Sequence, residues 1–170
     1  NSAPVWETAQ NALDRVVDCN ISAELDDALE LEPVPVDNCG NGATLSSPSY
    51  VETPGDCAGE YTITRTWFAY DQCGNSNSPV FTQTIHVIDL DPPVWTSAPN
   101  AGNATVSCSN AGDLATAQAF VPVASDACGS TTTITKVPGT FVPSNNCPQS
   151  GTITNTFTVV DACGNQGTTT

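Results

Sequence analysis

Eight cysteines fall into two sets whose spacings nearly coincide. Cys19, Cys39, Cys57 and Cys73 lie 20, 18 and 16 residues apart, and Cys108, Cys128, Cys147 and Cys163 lie 20, 19 and 16 apart. Other landmarks keep the same register. APVW at 3–6 returns as PPVW at 92–95, PVDNCG at 35–40 as VASDACG at 123–129, and YTITRTWFAYDQCGN at 61–75 as GTITNTFTVVDACGN at 151–165. A period of about 90 residues written twice predicts two tandem modules, not one domain. The expected modules are 1–91 and 92–170. They divide at DLDPP (89–93), where two prolines end any strand and stiffen the link.

Inside each copy, short apolar runs alternate with clusters of Gly, Pro, Asn and Ser. Ile63, Trp67 and Ala69 share one face of a strand, and Thr62, Thr64 and Thr66 share the other. Arg65 interrupts the apolar face, as does Asn155 at the matching position of the second copy. Gln83, Ile85 and Val87 alternate with Thr82, Thr84 and His86, so 61–70 and 80–88 are expected to form a hairpin. A first strand is expected from Val5 to Cys19, a second around Leu31–Val36, and short strands between 42 and 54. ELDDALELEP (24–33) carries five acids and could hold a turn of helix; its counterpart GDLATAQAFVP (112–122) is nearly uncharged. The expected fold is all-β: two tandem immunoglobulin-like β-sandwich modules, each with two disulfides.

Paired Cys-x-x-Cys or Cys/His spacings of a zinc site are absent from the sequence, and one histidine accompanies the eight cysteines. Such a profile belongs to an oxidising, extracellular setting. Four cysteines per module allow three connectivities, and spacing does not choose among them. Sandwich topology does: the loop after the second strand and the final hairpin loop share one end, which pairs Cys39 with Cys73. Cys19 and Cys57 then meet at the opposite end. The matching pairs in module two are Cys108–Cys147 by the offset of Cys19–Cys57, and Cys128–Cys163 by that of Cys39–Cys73. Each bridge closes a loop of roughly 35–40 residues, worth about 3–4 kcal/mol on the chain-entropy model.

With 18 acids against 3 bases the net charge is −15, which excludes nucleic acid and an anionic membrane surface as partners. No apolar run approaches the roughly 20 residues of a membrane helix. In DQCGN (71–75), Asp71 is expected to accept backbone N–H groups in an Asx-turn, and Gly74 to supply a positive φ. The rival reading makes such carboxylates calcium ligands. Asp89 and Asp91 flank the linker, Asp126 and Asp161 sit in module-two loops, and the four together form a candidate calcium set.

The runs TITRTW (62–67), DQCGN (71–75) and TQTIHVID (82–89), followed by LDPP, resemble the repeats of very large surface proteins secreted by Bacteroidetes-type bacteria, the SprB-type gliding-motility adhesins. They are also similar to hyalin (HYR-like) repeats, which share the Asp-x-x-Gly-Asn turn and the terminal V-x-D-x-x-x-P. Module two departs with TITNTF (152–157), so Arg65 is not required by the module. The resemblance implies a structural or adhesive immunoglobulin-like module displayed in arrays on the cell surface. Its partners are then neighbouring repeats of the same polypeptide and, through exposed groups, a surface polysaccharide or other substratum.

The alternative is a carbohydrate-binding accessory module. Tyr70 and Phe68, on the Thr-bearing outer face, are its candidate ligand-binding residues, whereas Trp6 and Trp95 recur beside the linker prolines as packing residues. An enzyme is not expected: His86 is the only histidine, and no Ser/His/Asp or Cys/His set can be assembled around it if every cysteine is paired. At the 90-residue offset, module one's closing strand 79–88 corresponds to 169–178. Module two is therefore expected to lack its final strand, leaving 152–160 as a sheet edge.

Overall fold

The computed structural model describes residues 2–38, 42–77, 79–107 and 109–170. The chain divides into two compact units, Asn1–Leu90 and Asp91–Thr170. Both are mostly β, each carries one helix, and an all-β sandwich with that one added helix fits them.

Unit one runs β1 (Val5–Trp6), β2 (Arg15–Asp18), α1 (Ser22–Glu30), β3 (Pro35–Val36), β4 (Thr44–Leu45), β5 (Ser49–Pro54), β6 (Tyr61–Trp67), β7 (Ala69–Tyr70) and β8 (Phe81–Ile88). Period-two patterning governs its centre. Ile63, Arg65 and Trp67 are buried on β6 with partly exposed threonines between them. Phe81, Gln83, Ile85 and Val87 are buried on β8 in the same alternation. The expected hairpin forms, antiparallel from Tyr61↔Val87 to Trp67↔Phe81. β5 pairs with the other edge of β6, and β2 runs parallel to β8, giving the order β2-β8-β6-β5.

Helix α1 is longer than the turn expected from its acids. Leu25, Ala28 and Leu29 stand at i, i+3 and i+4, a stripe that packs on the core cluster of Val17, Ile63, Ile85 and Val87. Burying a side chain of that size contributes about 1.5–3 kcal/mol, which outweighs the mutual repulsion of exposed acids. Two strand expectations are corrected. The stretch Val5–Cys19 is two strands, not one, because the chain turns between them with Asn11 at φ 66°; β1 then pairs with β3 and β2 with β8. The strand expected at Leu31–Val36 shrinks to Pro35–Val36; Pro33 has no N–H to give a ladder.

At Phe68 the chain leaves the four-stranded sheet. Its N–H donates to Ser46 Oγ (2.9 Å) and its carbonyl accepts from Ser46 N (2.8 Å). β7 then pairs with β4, Leu45↔Ala69. Trp6 and Trp67 each meet the Phe81 ring edge-on, at 5.5 and 6.0 Å.

Unit two runs β9 (Val94–Trp95), α2 (Ala111–Gln118), β10 (Ala124–Ser125), β11 (Thr132–Val137), β12 (Phe141–Ser144), β13 (Cys147–Ile153) and β14 (Thr156–Asp161). Asn110 caps α2, accepting from Gly112 N and Asp113 N while its amide donates to Asp113 Oδ2. Pairings fall at corresponding positions: β9 with β10, β11 with β14 and β12 with β13. The stretch that is one strand in β6 is divided here at Thr154–Asn155. Residues 166–170 run beside β14: Val160 bridges Gln166, Gly167 N donates to Val159 O, and Phe157 and Thr170 exchange both backbone bonds. The expected bare edge at 152–160 is therefore corrected for 157–160, which these residues cover. Among the described residues β13 has β12 as its only strand neighbour.

Candidate functional site

The Asp-x-Cys-Gly-Asn turns are the most repeated device in the molecule. Asp71 Oδ1 accepts from Cys73 N (2.9 Å) and Asn75 N (2.8 Å), and Oδ2 accepts from Asn75 Nδ2 (2.6 Å). Asp71 N donates to Asn75 O, and Gly74 closes the turn at φ 85°. The Asn75 amide, helped by backbone N–H groups of Asn75, Cys73 and Gly74, holds the Asp71 carboxyl below its ordinary value of 3.8, against the upward pull of desolvation. Unit two repeats the turn: Asp161 accepts from Asn165 N (2.8 Å) and Asn165 Nδ2 (3.0 Å), with Gly164 at φ 93°.

A third copy stands at 126–130, DACGS. Asp126 Oδ1 accepts from Cys128 N (2.9 Å) and Ser130 N (3.3 Å), and Gly129 has φ 79°. DNCGN at 37–41 spells a fourth, of which Cys39, Gly40 and Asn41 lie outside the described residues. Asp37 Oδ1 and Asp126 Oδ2 are buried at corresponding positions and, among the described residues, accept no hydrogen bond. The turns correspond across the repeat, and one motif also recurs within each copy, a signal that pairing copy with copy does not bring out. Aligning 37–41 on 71–75 would have shown it.

Cys19, Cys57, Cys128 and Cys163 are disulfide-bonded. Among the described residues Cys73 and Cys147 have no disulfide partner, and both are exposed. The expected bridges Cys39–Cys73 and Cys108–Cys147 fall on Cys39 and Cys108, which lie outside the described residues. Cys73 projects at the tip of its turn. Cys147 opens β13 beside the exposed hairpin of β12, where Ser144↔Cys147 pairing fixes it in the strand.

Arg65, unexplained in the sequence, anchors a buried polar network. Its guanidinium donates to Leu31 O (3.2 Å) and Gln83 Oε1 (3.0 Å) and stacks 4.6 Å over the Trp67 ring. Gln83 Nε2 donates to Leu13 O (2.8 Å) and Ala28 O (3.0 Å). One amide thus ties β8 to α1 and to the loop before β2. Burial pulls the Arg65 pKa down, and Glu32 opposes that pull. Unit two obtains a related arrangement from another strand. Lys136 on β11 donates to Gln118 O at the end of α2 and lies 5.7 Å over Phe157, the counterpart of Trp67. In both units a cation meets carbonyls at a helix C-terminus over an aromatic ring.

The remaining expected site residues stand as follows. Phe68 and Tyr70 are exposed, at 42% and 41%. Trp6 and Trp95 are packing residues: Trp6 Nε1 donates to Pro79 O (2.9 Å) and Trp95 Nε1 to Thr168 O (2.7 Å). His86 Nδ1 lies 3.0 Å from Thr62 Oγ1 on an exposed face. Of the candidate calcium set, Asp89 closes unit one and is buried, Asp91 opens unit two, and Asp126 and Asp161 head their turns. Among the described residues no helix is long and apolar enough to cross a membrane.

A search of curated proteins finds no match to the chain. Residues 8–87, which carry Cys19, Cys39, Cys57 and Cys73, match the family model of an HYR-like domain with 4 cysteines.

Proposed function

We propose that the chain is a stretch of non-catalytic structural and adhesive repeats, two tandem immunoglobulin-like modules from a large secreted bacterial cell-surface protein of the gliding-motility or surface-adhesin kind. The observation that carries this reading is one turn built twice with the same bonds, at Asp71–Asn75 and Asp161–Asn165, in units that differ elsewhere. The HYR-like stretch adds an extracellular repeat module, and the bonded cysteines fit an oxidising compartment. In an array each unit buries its own core, the Pro-Pro linker sets stiffness, and disulfides limit how far a pulled unit extends. Bridges within each module, Cys19–Cys57 and Cys128–Cys163, belong to this proposal. Single-molecule stretching tests it: reductant lengthens the extension per unit, and equal extension with and without reductant overturns the mechanical role.

The exposure of Phe68, between β6 and β7, and of Tyr70, on β7, supports a second reading, carbohydrate binding. Glycan-array binding that Tyr70→Ala abolishes establishes it. Calcium held by Asp89, Asp91, Asp126 and Asp161 is a separate proposal. Heat on calorimetric titration with calcium supports it, and absence of heat removes it.

A further inference from the structure

Strand β8 is edged by β2 along only part of its length. Pairing runs from Arg15↔Ile85 to Asp18↔Ile88, and among the described residues no strand lies beside Phe81–Thr84 on that side. The segment 9–14 crosses there as a strap. We propose that this strap is an edge guard: the Gln10 and Asp14 side chains occupy backbone groups of β8 that a second copy of the chain would otherwise pair with.

The backbone of the strap is turned in on itself and does not pair as a strand. Ala12 N donates to Ala9 O (3.1 Å), Asp14 N donates to Asn11 O (3.2 Å), and Asn11 stands at φ 66°. Side chains take the place of that backbone. Gln10 Nε2 donates to Val80 O (3.0 Å), and Gln10 Oε1 accepts from Thr82 N (3.4 Å). A donor and an acceptor set against the residues on either side of Phe81 reproduce the bonds that a parallel strand would make there. Asp14 Oδ1 accepts from Thr84 N (2.8 Å), just before strand pairing takes over at Arg15. The strap is itself held, by Gln83 Nε2 on Leu13 O and by Arg15 Nη1 on Ala12 O and Asp14 O.

The covered stretch is one that needs a guard. FTQT (81–84) is extended, carries no charge and no proline, and sets an aromatic residue beside β-branched ones, a composition that favours edge-to-edge pairing. At the other edge of the sheet, β5 has Pro48 before it, Pro54 at its end and Glu52 within, the more usual protections of an edge. In a row of like modules the local concentration of matching strands is high. That use of the guard rests on the repeat function proposed above, whereas the guard itself stands on the bonds of Gln10 and Asp14.

Gln10→Ala combined with Asp14→Ala in the full chain tests the proposal. In dilute solution, exchange of the Thr82 and Thr84 amides is expected to speed up by about tenfold. As concentration rises, the sedimenting mass is expected to move from one chain to two, while the parent chain stays at one. Thr82 N faces the strap and not β6, so adding Thr82→Pro removes an outward donor and leaves the β6 pairing in place. The triple variant is therefore expected to stay a single chain. Faster exchange with no association at any concentration overturns the guard, and so does exchange that does not change. Association that persists with Thr82→Pro assigns it to loss of folding and overturns the proposal. A parent chain that already associates, and stops doing so with Thr82→Pro, shows the edge to be open and overturns it too.

Discussion

Unit one and unit two use the same strand differently. In unit one, β6 runs unbroken through seven residues because β5 and β8 hold both its edges. In unit two the matching stretch breaks at Thr154–Asn155, and its two halves pair with different partners, β12 and β11. The Asn155 side chain accepts from Gly139 N through Oδ1, where Arg65 bonds across to Gln83. The difference teaches that β8 does more than close a sheet. It supplies Phe81, Gln83, Ile85 and Val87, whose burial straightens the neighbouring strand and anchors the helix.

Removing a β8 side chain should push unit one toward the state of unit two. Phe81 is fully buried between Trp6 and Trp67. Phe81→Ala is expected to cost about 3–5 kcal/mol in denaturant unfolding. Thr170→Ala, at the corresponding place in unit two, is expected to change stability by less than about 0.5 kcal/mol. Equal costs would break the comparison. The polar network comes next. Gln83→Leu leaves Leu13 O and Ala28 O without their side-chain donor and removes a partner from Arg65, at an expected cost of about 2–3 kcal/mol. Lys136→Met, in the half-exposed counterpart, is expected to cost about 0.5–1 kcal/mol.

Much of this was legible in the sequence because it is written in short-range patterns. The β6–β8 hairpin follows from strict alternation at 62–67 and 82–87, and the turn at Asp71 from residue types that only a tight reversal needs. Phe68 and Tyr70 are exposed as parity from Thr62 suggests, although the strand ends at Trp67 and a new one begins at Ala69. Long-range matters were less legible. Arg65 interrupts an apolar face, and nothing nearby in sequence says that Gln83, 18 residues away, and Leu31, 34 residues away, wait for it. Helix α1 was hidden by its acids, which drew notice away from the Leu25, Ala28, Leu29 stripe. Cysteine pairing was the least legible, because proximity of loops in a topology is coarser than the few ångströms a disulfide needs.

The shared turn sharpens the comparison from the other side, since here the two units should respond alike. Asp71→Ala and Asp161→Ala each remove carboxylate bonds to the turn, and each is expected to lower Tm by a few degrees, less than Gln83→Leu does. Asp71 also carries a pH signature. Its folded pKa is depressed, so its contribution is complete above the unfolded value near 3.8 and is lost as pH falls through the lower folded value. Asp71→Asn should therefore flatten the stability profile of unit one in that acid window and leave its slope near neutrality unchanged. A change confined to neutral pH would contradict the Asx-turn account.

Charge gives the smallest expected contrast. Residues 1–91 carry 15 acids and 2 bases, net −13, whereas 92–170 carry 3 acids and 1 base, net −2. Five of those acids lie within Glu24–Glu32, on and just after α1, whose last turn holds no basic residue to answer the helix dipole. Self-repulsion among exposed carboxylates is screened once the Debye length falls below their separation, about 8 Å at physiological ionic strength. Raising sodium chloride should then slow amide exchange in β6 and β8 more than in β11 and β14, measured in the same intact chain. The expected difference is a few tenths of a kcal/mol, because each exposed pair contributes little. It should shrink when Glu24, Asp26 and Asp27 are replaced by Gln and Asn, since these supply the densest run of like charge. A larger salt gain in unit two would mean that the acids of unit one already hold counterions or partners that salt does not improve.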